Sequence, residues 1–392
     1  MGFRGGGGRS VLLASIFLVS SLPGCSDPEV AAVPETTAEA TVAVQPRWAD
    51  GFAVELYRGL ELVTVRRPSQ GAAEPVRYLL LPRGVEDPGG AEDATRITVP
   101  VRRMVALSTS QIPHLGLLGM LDNLRGVASI DRVTSPAVRR AFEAGSVAEV
   151  GSAENLDLEK VLALAPDVVF TDAGTLSLFQ GHEALRQAGI PVVVSAEFLE
   201  GSILGRTEWL LFTSLFFDRE AEAERLLTDI ANRYEAISRR TEGIPPAERP
   251  TIFGGSLWGD VWHVAGGRSF PAQLFAAAGA RYVWADEPIQ GSVPLDFEAV
   301  FARAAAADFW LPARNGWRSL ADPLAEDERY GLLEAVEAGR VYNFNGRVTE
   351  SGGNDYWERG LVEPDVVLAD LVRVFHPELL PDHRLVYLRR LE

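Results

Sequence analysis

The sequence predicts an α/β protein made of two similar lobes that are joined by one long helix. In each half, short apolar runs typical of buried strands alternate with segments that have a helical period, and this order predicts mostly parallel sheets covered by helices. One stretch of the first half recurs in the second half, and a helical period also runs between the halves. A chain of 392 residues is long enough for two such lobes, each with its own core.

The N-terminus has the composition of an export signal. Two arginines precede an apolar run over residues 11–19, which is shorter than the roughly 20 residues needed to cross a bilayer. This order predicts a secretory signal peptide over residues 1–24. Residues 22–25 resemble a bacterial lipobox, in which Cys25 is lipidated and becomes the mature N-terminus. The alternative is a plain signal peptide, or a membrane anchor, with an incidental cysteine.

The segment after the signal predicts a tether. Residues 25–46 are polar, aperiodic and rich in Pro, Ala, Thr and Glu, a composition typical of flexible linkers. Cys25 is the only cysteine of the chain, so no intramolecular disulfide can form. Secretion, a lipid anchor and a tether together predict an extracytoplasmic body held at a membrane.

The strands of the first lobe follow the tether. Residues 52–66 and 76–82 alternate in polarity and predict antiparallel strands at the edge of this lobe. The buried strands of the lobe are predicted at residues 104–108, 126–130, 167–171 and 191–195, with helices at 114–121 and 182–188.

The second half repeats this order after a connecting segment. Strands are predicted at residues 251–253, 281–284, 308–311 and 341–344, with helices at 270–278 and 329–338. A helical period over 205–242 predicts one connecting helix between a lobe at 47–204 and a lobe at 243–392. We expect a stiff hinge, and a ligand in the cleft between the lobes.

The recurring stretch identifies two exposed glutamates. Residues 156–170 and 295–310 both read Leu-Asp-apolar-Glu-x-Val-apolar-Ala, followed by an apolar strand. The aspartates are good helix N-caps, and apolar residues at helical spacing face the core. The residues predicted in the first helical turn, facing water, are Glu159 and Glu298.

Charge and motifs exclude several function classes. The formal net charge of −17 argues against a nucleic-acid partner, and Lys160 is the only lysine, which argues against Schiff-base and phosphate-loop chemistry. The chain has no common catalytic motif, and Trp258 replaces the second glycine that a nucleophile elbow would need. A zinc or manganese binder would need converging histidines, whereas the five histidines are scattered.

At this point the chain resembles the periplasmic binding proteins that serve ferric siderophore, haem and cobalamin importers. The resemblance covers roughly residues 100–390. It rests on the order and spacing of segments 105–110, 156–170, 262–268, 295–301 and 353–358, together with 375–383. It implies two Rossmann-like lobes in the class III architecture of that family. It also implies a substrate-binding lipoprotein, not an enzyme, which faces the periplasm and delivers its ligand to the permease dimer of an ABC importer.

The resemblance implies a role for the two exposed glutamates. In that family one glutamate on each lobe docks on arginines of the permease, and Glu159 and Glu298 match those positions. Charge pairs across such an interface fix orientation and speed encounter. The alternative is that each glutamate only complements the N-terminus of its own helix.

Ligand contacts in this fold come from strand ends that face the other lobe. Aromatic rings and arginines suit a large, flat or negatively charged metal chelate, whereas an aromatic residue in an α/β lobe also has a plain role in the core. We expect a ferric siderophore, with cobalamin (a corrinoid) next and haem third; a bound zinc or manganese ion, and a sensor that meets no permease, also stay open. No cofactor is expected. The candidate residues are Ser108, Thr109, Ser110 and His114 in the first lobe, and Trp258, Trp262, His263, Arg268, Arg314, Trp317, Tyr356 and Trp357 in the second.

Overall fold

The described chain opens with a sheet that precedes the first lobe. The computed structural model describes residues 42–69, 74–174 and 182–392. The strands of this sheet lie in sequence order, antiparallel except for the last pair. The second and third form a hairpin inside the segment 52–66 that the sequence predicted as extended, and it turns at Arg58-Gly59, both with positive φ. The strands are β1 (Val42–Val44), β2 (Phe52–Tyr57), β3 (Leu60–Val65), β4 (Val76–Pro82) and β5 (Ala94–Val99).

The first lobe has the predicted parallel sheet. Its strands are short, and three of them, at residues 104–106, 168–172 and 192–195, are almost completely buried, as expected for a sheet with helices on both faces. The spatial order is β10-β9-β6-β7-β8, and every pair is parallel. These strands are β6 (Met104–Ala106), β7 (Leu124–Val127), β8 (Ala148–Glu149), β9 (Val168–Asp172) and β10 (Val192–Ser195).

The second lobe repeats this arrangement with shorter strands. Its parallel sheet has the order β14-β11-β16, and Val341 extends it through a parallel bridge to Trp310. A small antiparallel sheet, β12-β13-β15, lies beside it. The strands are β11 (Thr251–Gly254), β12 (Leu257–Trp258), β13 (Val261–Ala265), β14 (Arg281–Tyr282), β15 (Ser292–Leu295), β16 (Phe309–Leu311), β17 (Tyr342–Asn343) and β18 (Arg389–Arg390).

Several helices begin at a residue whose side chain caps them. The side chains of Ser135, Asp157, Ser269 and Asp296 each accept a backbone N–H in the first turn of their helix. The helices are α1 (Ile112–Leu117), α2 (Pro136–Glu143), α3 (Leu158–Leu164), α4 (His182–Gln187), α5 (Ile203–Thr207), α6 (Trp209–Ser214), α7 (Glu220–Ser238), α8 (Phe270–Ala277), α9 (Phe297–Ala304), α10 (Ala321–Glu326), α11 (Glu334–Glu337) and α12 (Pro364–Phe375).

The connecting segment differs from the single helix predicted over 205–242. It contains the end of α5, then α6 and α7, with Asp218 at a positive φ between the last two. Residues 209–217 are buried on all sides, in the core of the first lobe, as is typical of a helix that is apolar all round. Helix α7 runs from the first lobe to the second. The whole helix has 19 residues and is roughly 28 Å long. Leu227 packs in the core of the first lobe, and Ile237 packs against the core of the second.

The N-terminal parts of the prediction have two outcomes. The signal peptide and Cys25 lie outside the described residues. Val42–Val44, which the sequence assigned to the flexible tether, instead form β1 and pair with β2. Within residues 42–69, 74–174 and 182–392, no helix combines the length and the apolar character needed to span a bilayer.

Two buried carboxylates fasten the N-terminal sheet to the connecting segment. Glu208 accepts the backbone N–H groups of Arg47, Trp48 and Ala49, each at 2.7 Å. Glu200 accepts the N–H groups of residues 50 and 51 at 3.0 and 2.8 Å, and the indole N–H of Trp209 at 2.8 Å. Charge-assisted hydrogen bonds of this kind are about twice as strong as neutral ones. These hydrogen bonds replace the ones that both carboxylates would otherwise make to water, and so offset the cost of their desolvation.

A third buried carboxylate holds the C-terminal tail. Asp370 on α12 is completely buried. Its oxygens lie 2.6 Å from Nε2 of His383 and accept the backbone N–H groups of Val386, Tyr387 and Leu388. The tail is thereby fixed against the second lobe, which positions β18 beside β17.

We expect Glu208→Ala to destabilise the protein strongly. The substitution leaves three backbone N–H groups without an acceptor in a buried place, and the expected loss is about 3 kcal/mol or more of the free energy of unfolding. Urea denaturation measures it. Glu55→Ala, which removes an exposed carboxylate from β2, is the control and should change stability little. Equal stability of the two variants would contradict the role of Glu208.

Candidate functional site

A cleft of about 570 Å³ lies between the two lobes. The first lobe contributes α1, the residues just after it and the start of α2, which form a mostly aliphatic wall. The second lobe contributes the chain between β17 and α12, which is mainly polar. The lining residues are Ile112, Pro113, Gly116, Leu117, Leu121, Thr134, Ser135 and Pro136 on one side, and Arg347, Val348, Thr349, Asp355, Glu358, Arg359 and Val362 on the other.

The charges of the polar wall are largely paired with one another. Arg347 Nη1 lies 3.5 Å from Asp355 Oδ2, and Arg359 Nε lies 2.7 Å from Glu363 Oε1. Each arginine is about half exposed, so these pairs contribute little stability. Both guanidinium groups therefore remain available to exchange partners with a charged ligand.

Glu358 is the buried carboxylate of this wall. It is only 2% exposed, and it accepts the backbone N–H groups of Thr134 at 2.7 Å and Ser135 at 2.9 Å. Burial raises the pKa of this carboxyl to about 7; the hydrogen bonds from residues 134 and 135 oppose the shift, and the nearby charge of Asp355 adds to it.

The predicted contacts of the first lobe lie at the end of β6. Ser108 caps the short helical turn before α1 and accepts the N–H of Ser110. Ser108 and Thr109 are half-buried, and Ser110 is buried. His114 is also buried, and its Nδ1 lies 2.8 Å from Thr213 Oγ1 on α6. Its ring is therefore turned to the connecting segment, while its neighbour Pro113 lines the cleft.

Burial determines the charge state of His114. Removal from water lowers the pKa of the imidazole to about 4, although the negative charge of Glu197 opposes the shift. The ring is accordingly neutral near pH 7. A neutral imidazole that is already hydrogen bonded is a packing residue in this structure, and its contact with a ligand remains a prediction.

Three predicted contacts of the second lobe have core positions. Trp262 is completely buried and donates from Nε1 to the carbonyl of Gly254 at 3.1 Å. Trp317 is buried and donates to Glu326 at 2.7 Å. Tyr356 packs its ring against Phe344, with the centroids 4.5 Å apart. All three rings pack in the core of the second lobe, and direct ligand contact by them remains a prediction.

Trp258 and Arg314 come together at a second cavity. Trp258 is 74% exposed, and the guanidinium carbon of Arg314 lies 5.4 Å from its ring centroid. Arg314 also pairs with Glu326 at 2.6 Å. The cavity measures about 290 Å³ and is lined by Leu257, Trp258, Gly259, Arg314, Glu326, Asp327 and Tyr330.

The remaining predicted contacts are exposed. His263 lies 3.3 Å from Ser292 Oγ through its Nδ1, and Arg268 follows the end of β13. Trp357 is exposed between two residues that line the cleft. All three side chains are exposed to solvent and are therefore accessible to a ligand. Contact between these residues and a ligand remains a prediction.

Several residues of the site were not anticipated. Thr134 and Ser135 follow β7, and Asp355 and Glu358 flank the predicted pair Tyr356-Trp357. The one local signal is the sequence Ser135-Pro136, which is typical of a helix start after a strand-end loop. The sequence contains no sign that this loop meets Glu358, more than 200 residues later.

Arg206 adds a buried cation near the junction of the lobes. Its guanidinium carbon lies 4.0 Å from the ring centroid of Phe270. Burial lowers the pKa of this group, and the charges of Glu197 and Tyr356 oppose the shift. Among the described residues, no hydrogen-bond partner reaches its Nε.

The two glutamates of the repeated stretch are exposed in the first turns of α3 and α9, as predicted. Beside Glu159 on α3, Lys160 pairs with Asp157 at 3.2 Å. The Glu298 side chain is 77% exposed, and its Oε1 lies 3.5 Å from Arg329 Nη1. Contact of both glutamates with a permease remains a prediction.

The described part of the chain contains no group of three or more His, Cys, Asp or Glu residues arranged to hold a metal ion. The lining of the inter-lobe cleft instead consists of aliphatic groups, hydroxyls, carboxylates and guanidinium groups. This set of groups suits contact with the organic surface of a ligand.

Comparison with known proteins gives one family and several relatives. The family model described as periplasmic binding protein matches residues 104–347, more than half of the chain. An uncharacterised lipoprotein of Methanocaldococcus jannaschii is 27% identical over 296 residues, which cover 72% of this chain and 67% of the relative.

Two solved structures share the fold. One is a possible iron-binding (periplasmic solute-binding) protein from Staphylococcus epidermidis, with 18% identity and a TM-score of 0.55, covering 71% of this chain and 99% of the other. The second is a periplasmic haem-binding protein from Pseudomonas aeruginosa, with 20% identity and a TM-score of 0.55, covering 74% of this chain and 98% of the other. At these identities the likeness shows the two-lobed class III architecture.

We expect the stability of the protein to fall in acid partly because of His114. Its pKa is about 4 in the folded protein, against an ordinary value of 6.5, so the unfolded chain takes up the proton first. The stability that neutral His114 provides is complete above pH 6.5 and is lost as pH falls toward 4. Urea denaturation at several pH values should show a shallower loss for His114→Gln. His263→Gln, which removes an exposed histidine, is the control, and equal slopes for both variants would contradict the assignment.

Proposed function

This chain belongs to the periplasmic binding protein family, and from that membership we propose that it captures a ferric-siderophore-type iron complex in the cleft between its lobes. The family supplies solutes to ABC transporters and performs no catalysis. The chain is therefore a solute-binding protein with a permease as its partner. The identity of the solute is the proposal.

The dimensions and lining of the cleft carry this proposal. A volume of about 570 Å³ suits a small organic molecule rather than a bare ion. The aliphatic wall would pack against the hydrocarbon part of a chelator, and Arg347 and Arg359 would pair with its negative groups. Because the described residues contain no group of three or more His, Cys, Asp or Glu side chains arranged to hold a metal ion, we propose that iron arrives already coordinated by its chelator.

Exposed aromatic and basic residues of the second lobe extend the proposed contact surface. Trp258 presents an open ring face beside Arg314, and Arg268 and Trp357 are exposed on the same lobe. In this proposal these residues bind the part of the chelate that projects from the cleft. A Trp face and a guanidinium group suit flat, negatively charged ligands.

Haem is the second candidate, and one observation favours it. The wall formed by Ile112, Leu117 and Leu121 is aliphatic and would pack against one face of a porphyrin. Cobalamin is a larger molecule that would project further from a cleft of this size. The solved relative from Pseudomonas aeruginosa is called haem-binding, but at 20% identity this name does not choose the ligand here.

Attachment to a membrane belongs to the same proposal. Lipidation of Cys25 and a tether up to β1 would hold the body at a bacterial membrane, facing the periplasm. The support is the order of the N-terminal segments and the lipoprotein relative from Methanocaldococcus jannaschii. Anchoring would keep the solute-binding protein close to its permease.

We expect saturable binding of one ferric chelate in a tryptophan-fluorescence titration. The chain from residue 25, carrying Cys25→Ser, would be titrated with ferric siderophores, cobalamin, haemin, zinc and manganese. Its eight tryptophans make quenching by a bound chromophore measurable. Arg347→Ala should weaken binding about tenfold, because it removes a charge-assisted contact. Arg318→Ala, at an exposed arginine outside the cleft, is the control.

The titration separates the candidates. Binding of haemin alone would replace the siderophore with haem. Binding of zinc or manganese alone would contradict the chelate proposal. Unchanged affinity of Arg347→Ala for the bound chelate would remove the cleft from the ligand site.

We expect the double substitution Glu159→Ala, Glu298→Ala to uncouple the protein from its permease. Loss of two exposed charges slows encounter and removes the orientation that they provide. The readout is ligand-dependent ATPase activity of the reconstituted transporter, with ligand affinity measured alongside. The control is Glu143→Ala, Glu328→Ala, at two glutamates outside the repeated stretch. Normal activity of the first variant would leave both glutamates with the local role of complementing their helices.

A further inference from the structure

We infer that Glu358 is a positioning residue that latches the second lobe onto the start of α2 in the first lobe and thereby sets the width of the cleft. The two oxygens of Glu358 accept the N–H groups of Thr134 and Ser135 at 2.7 and 2.9 Å. Ser135 is the N-cap of α2. A carboxylate at this position also complements the positive end of the helix.

Neighbouring contacts make the latch a continuous seam. Thr134 donates from Oγ1 to Asp355 at 2.7 Å, and Ser351 donates from Oγ to the carbonyl of Asp131 at 3.0 Å. Between them, Gly353 lies so close to the first lobe that a Cβ atom would come within 2.7 Å of the carbonyl oxygen of Arg132. Residues 351–358 of the second lobe therefore form a closely packed, hydrogen-bonded contact with residues 131–135 of the first.

The seam is part of the cleft. Thr134, Ser135, Asp355 and Glu358 all line it, so a molecule that enters the cleft meets the groups that join the lobes. Lobe separation exposes the carboxylate of Glu358 to water and frees two backbone donors of α2. Ligand capture and lobe position are therefore coupled through the same hydrogen bonds.

The second lobe surrounds Glu358 with paired charges. Asp355 is the nearest carboxylate, and its charge disfavours ionisation of Glu358. Arg347 is engaged with Asp355, and Arg359 is engaged with Glu363. Neither arginine therefore forms an ion pair with Glu358. Without such a partner, nothing offsets the effect of burial on the pKa of this carboxyl except the two backbone hydrogen bonds and that from the Thr134 side chain.

The first lobe faces Glu358 mainly with backbone dipoles. Arg139 on α2 donates to the carbonyls of Ile130 and Val133 and so holds the loop before the helix. The side of α1 that lines the cleft is apolar, and His114 is turned away to Thr213. The hydrogen bonds from residues 134 and 135 are the stabilising contacts that this lobe gives the carboxylate.

The direction of the pH effect follows from burial. In the closed arrangement the pKa of Glu358 is raised from 4.5 to about 7, and solvation on opening returns it toward its ordinary value. The closed arrangement therefore holds a proton that the open one releases between pH 4.5 and about 7. Closure is favoured below this window and is progressively lost as pH rises through it.

The test measures the distance between the lobes without any ligand. Spin labels at Ala163→Cys and Ala302→Cys would occupy equivalent, exposed positions on α3 and α9, in the whole chain carrying Cys25→Ser, its only native cysteine. Pulsed electron paramagnetic resonance at pH 5 and pH 8 reports the distance. We expect a longer or broader distance at pH 8. We expect Glu358→Gln, which has no titratable group here and whose amide can accept only one of the two N–H groups, to give a distance that no longer depends on pH.

Two further variants make the outcome decisive. Glu350→Gln neutralises an exposed carboxylate of the same chain segment and should behave as the parent protein. Asp355→Asn removes the charge that disfavours ionisation of Glu358, so the transition should move to lower pH. A distance that does not depend on pH, or an identical pH profile for the parent and Asp355→Asn, would overturn the inference even if Glu358→Gln failed to fold.

The inference depends on the inter-lobe geometry and not on the identity of the solute. Failure of every chelate to bind would remove the proposed ligand and leave the distance measurement intact. A fixed inter-lobe distance with tight chelate binding would remove the latch and leave the proposed function intact.

Discussion

The arrangement of the molecule depends on the buried carboxylates of Glu200 and Glu208. They accept hydrogen bonds from five consecutive backbone amides, at residues 47–51. Oriented amides thus replace the water that burial removes from both groups. These bonds fix where the N-terminal sheet meets the connecting segment. Directly after Glu208, the apolar residues 209–217 pack into the core of the first lobe, and α7 follows them.

A binding protein of this kind has to hold two lobes in a defined relation while leaving a space between them. Here α7 provides the covalent connection, and the seam from Ser351 to Glu358 provides a second, reversible one. The cleft lies beside this seam, with an aliphatic wall from one lobe and a polar wall from the other. Because the arginines of the polar wall are paired within their own lobe, the cleft carries little unbalanced charge.

The sequence predicted the features that repeat locally. The stretches at 156–170 and 295–310 became α3 and α9 with their aspartate caps. Prediction from the sequence failed for positions whose environment depends on contacts between residues far apart in the chain. Trp262 has the inward position on β13, whose burial alternates, so its ring is in the core. Thr134 and Glu358 are 224 residues apart, and neither has a local pattern that indicates its partner. The connecting helix was predicted too long because residues 209–217 have a helical period that extends that of α7.

The anchoring of residues 47–51 has a mechanical consequence. Any tension applied to the chain ahead of β1 reaches the body through β1 and β2 and then through the amides held by Glu200 and Glu208. These carboxylates belong to the segment that leads into α7. Anchoring ahead of β1, as proposed, would therefore load the segment that leads into α7 and would leave the loops that line the cleft outside the path of the force.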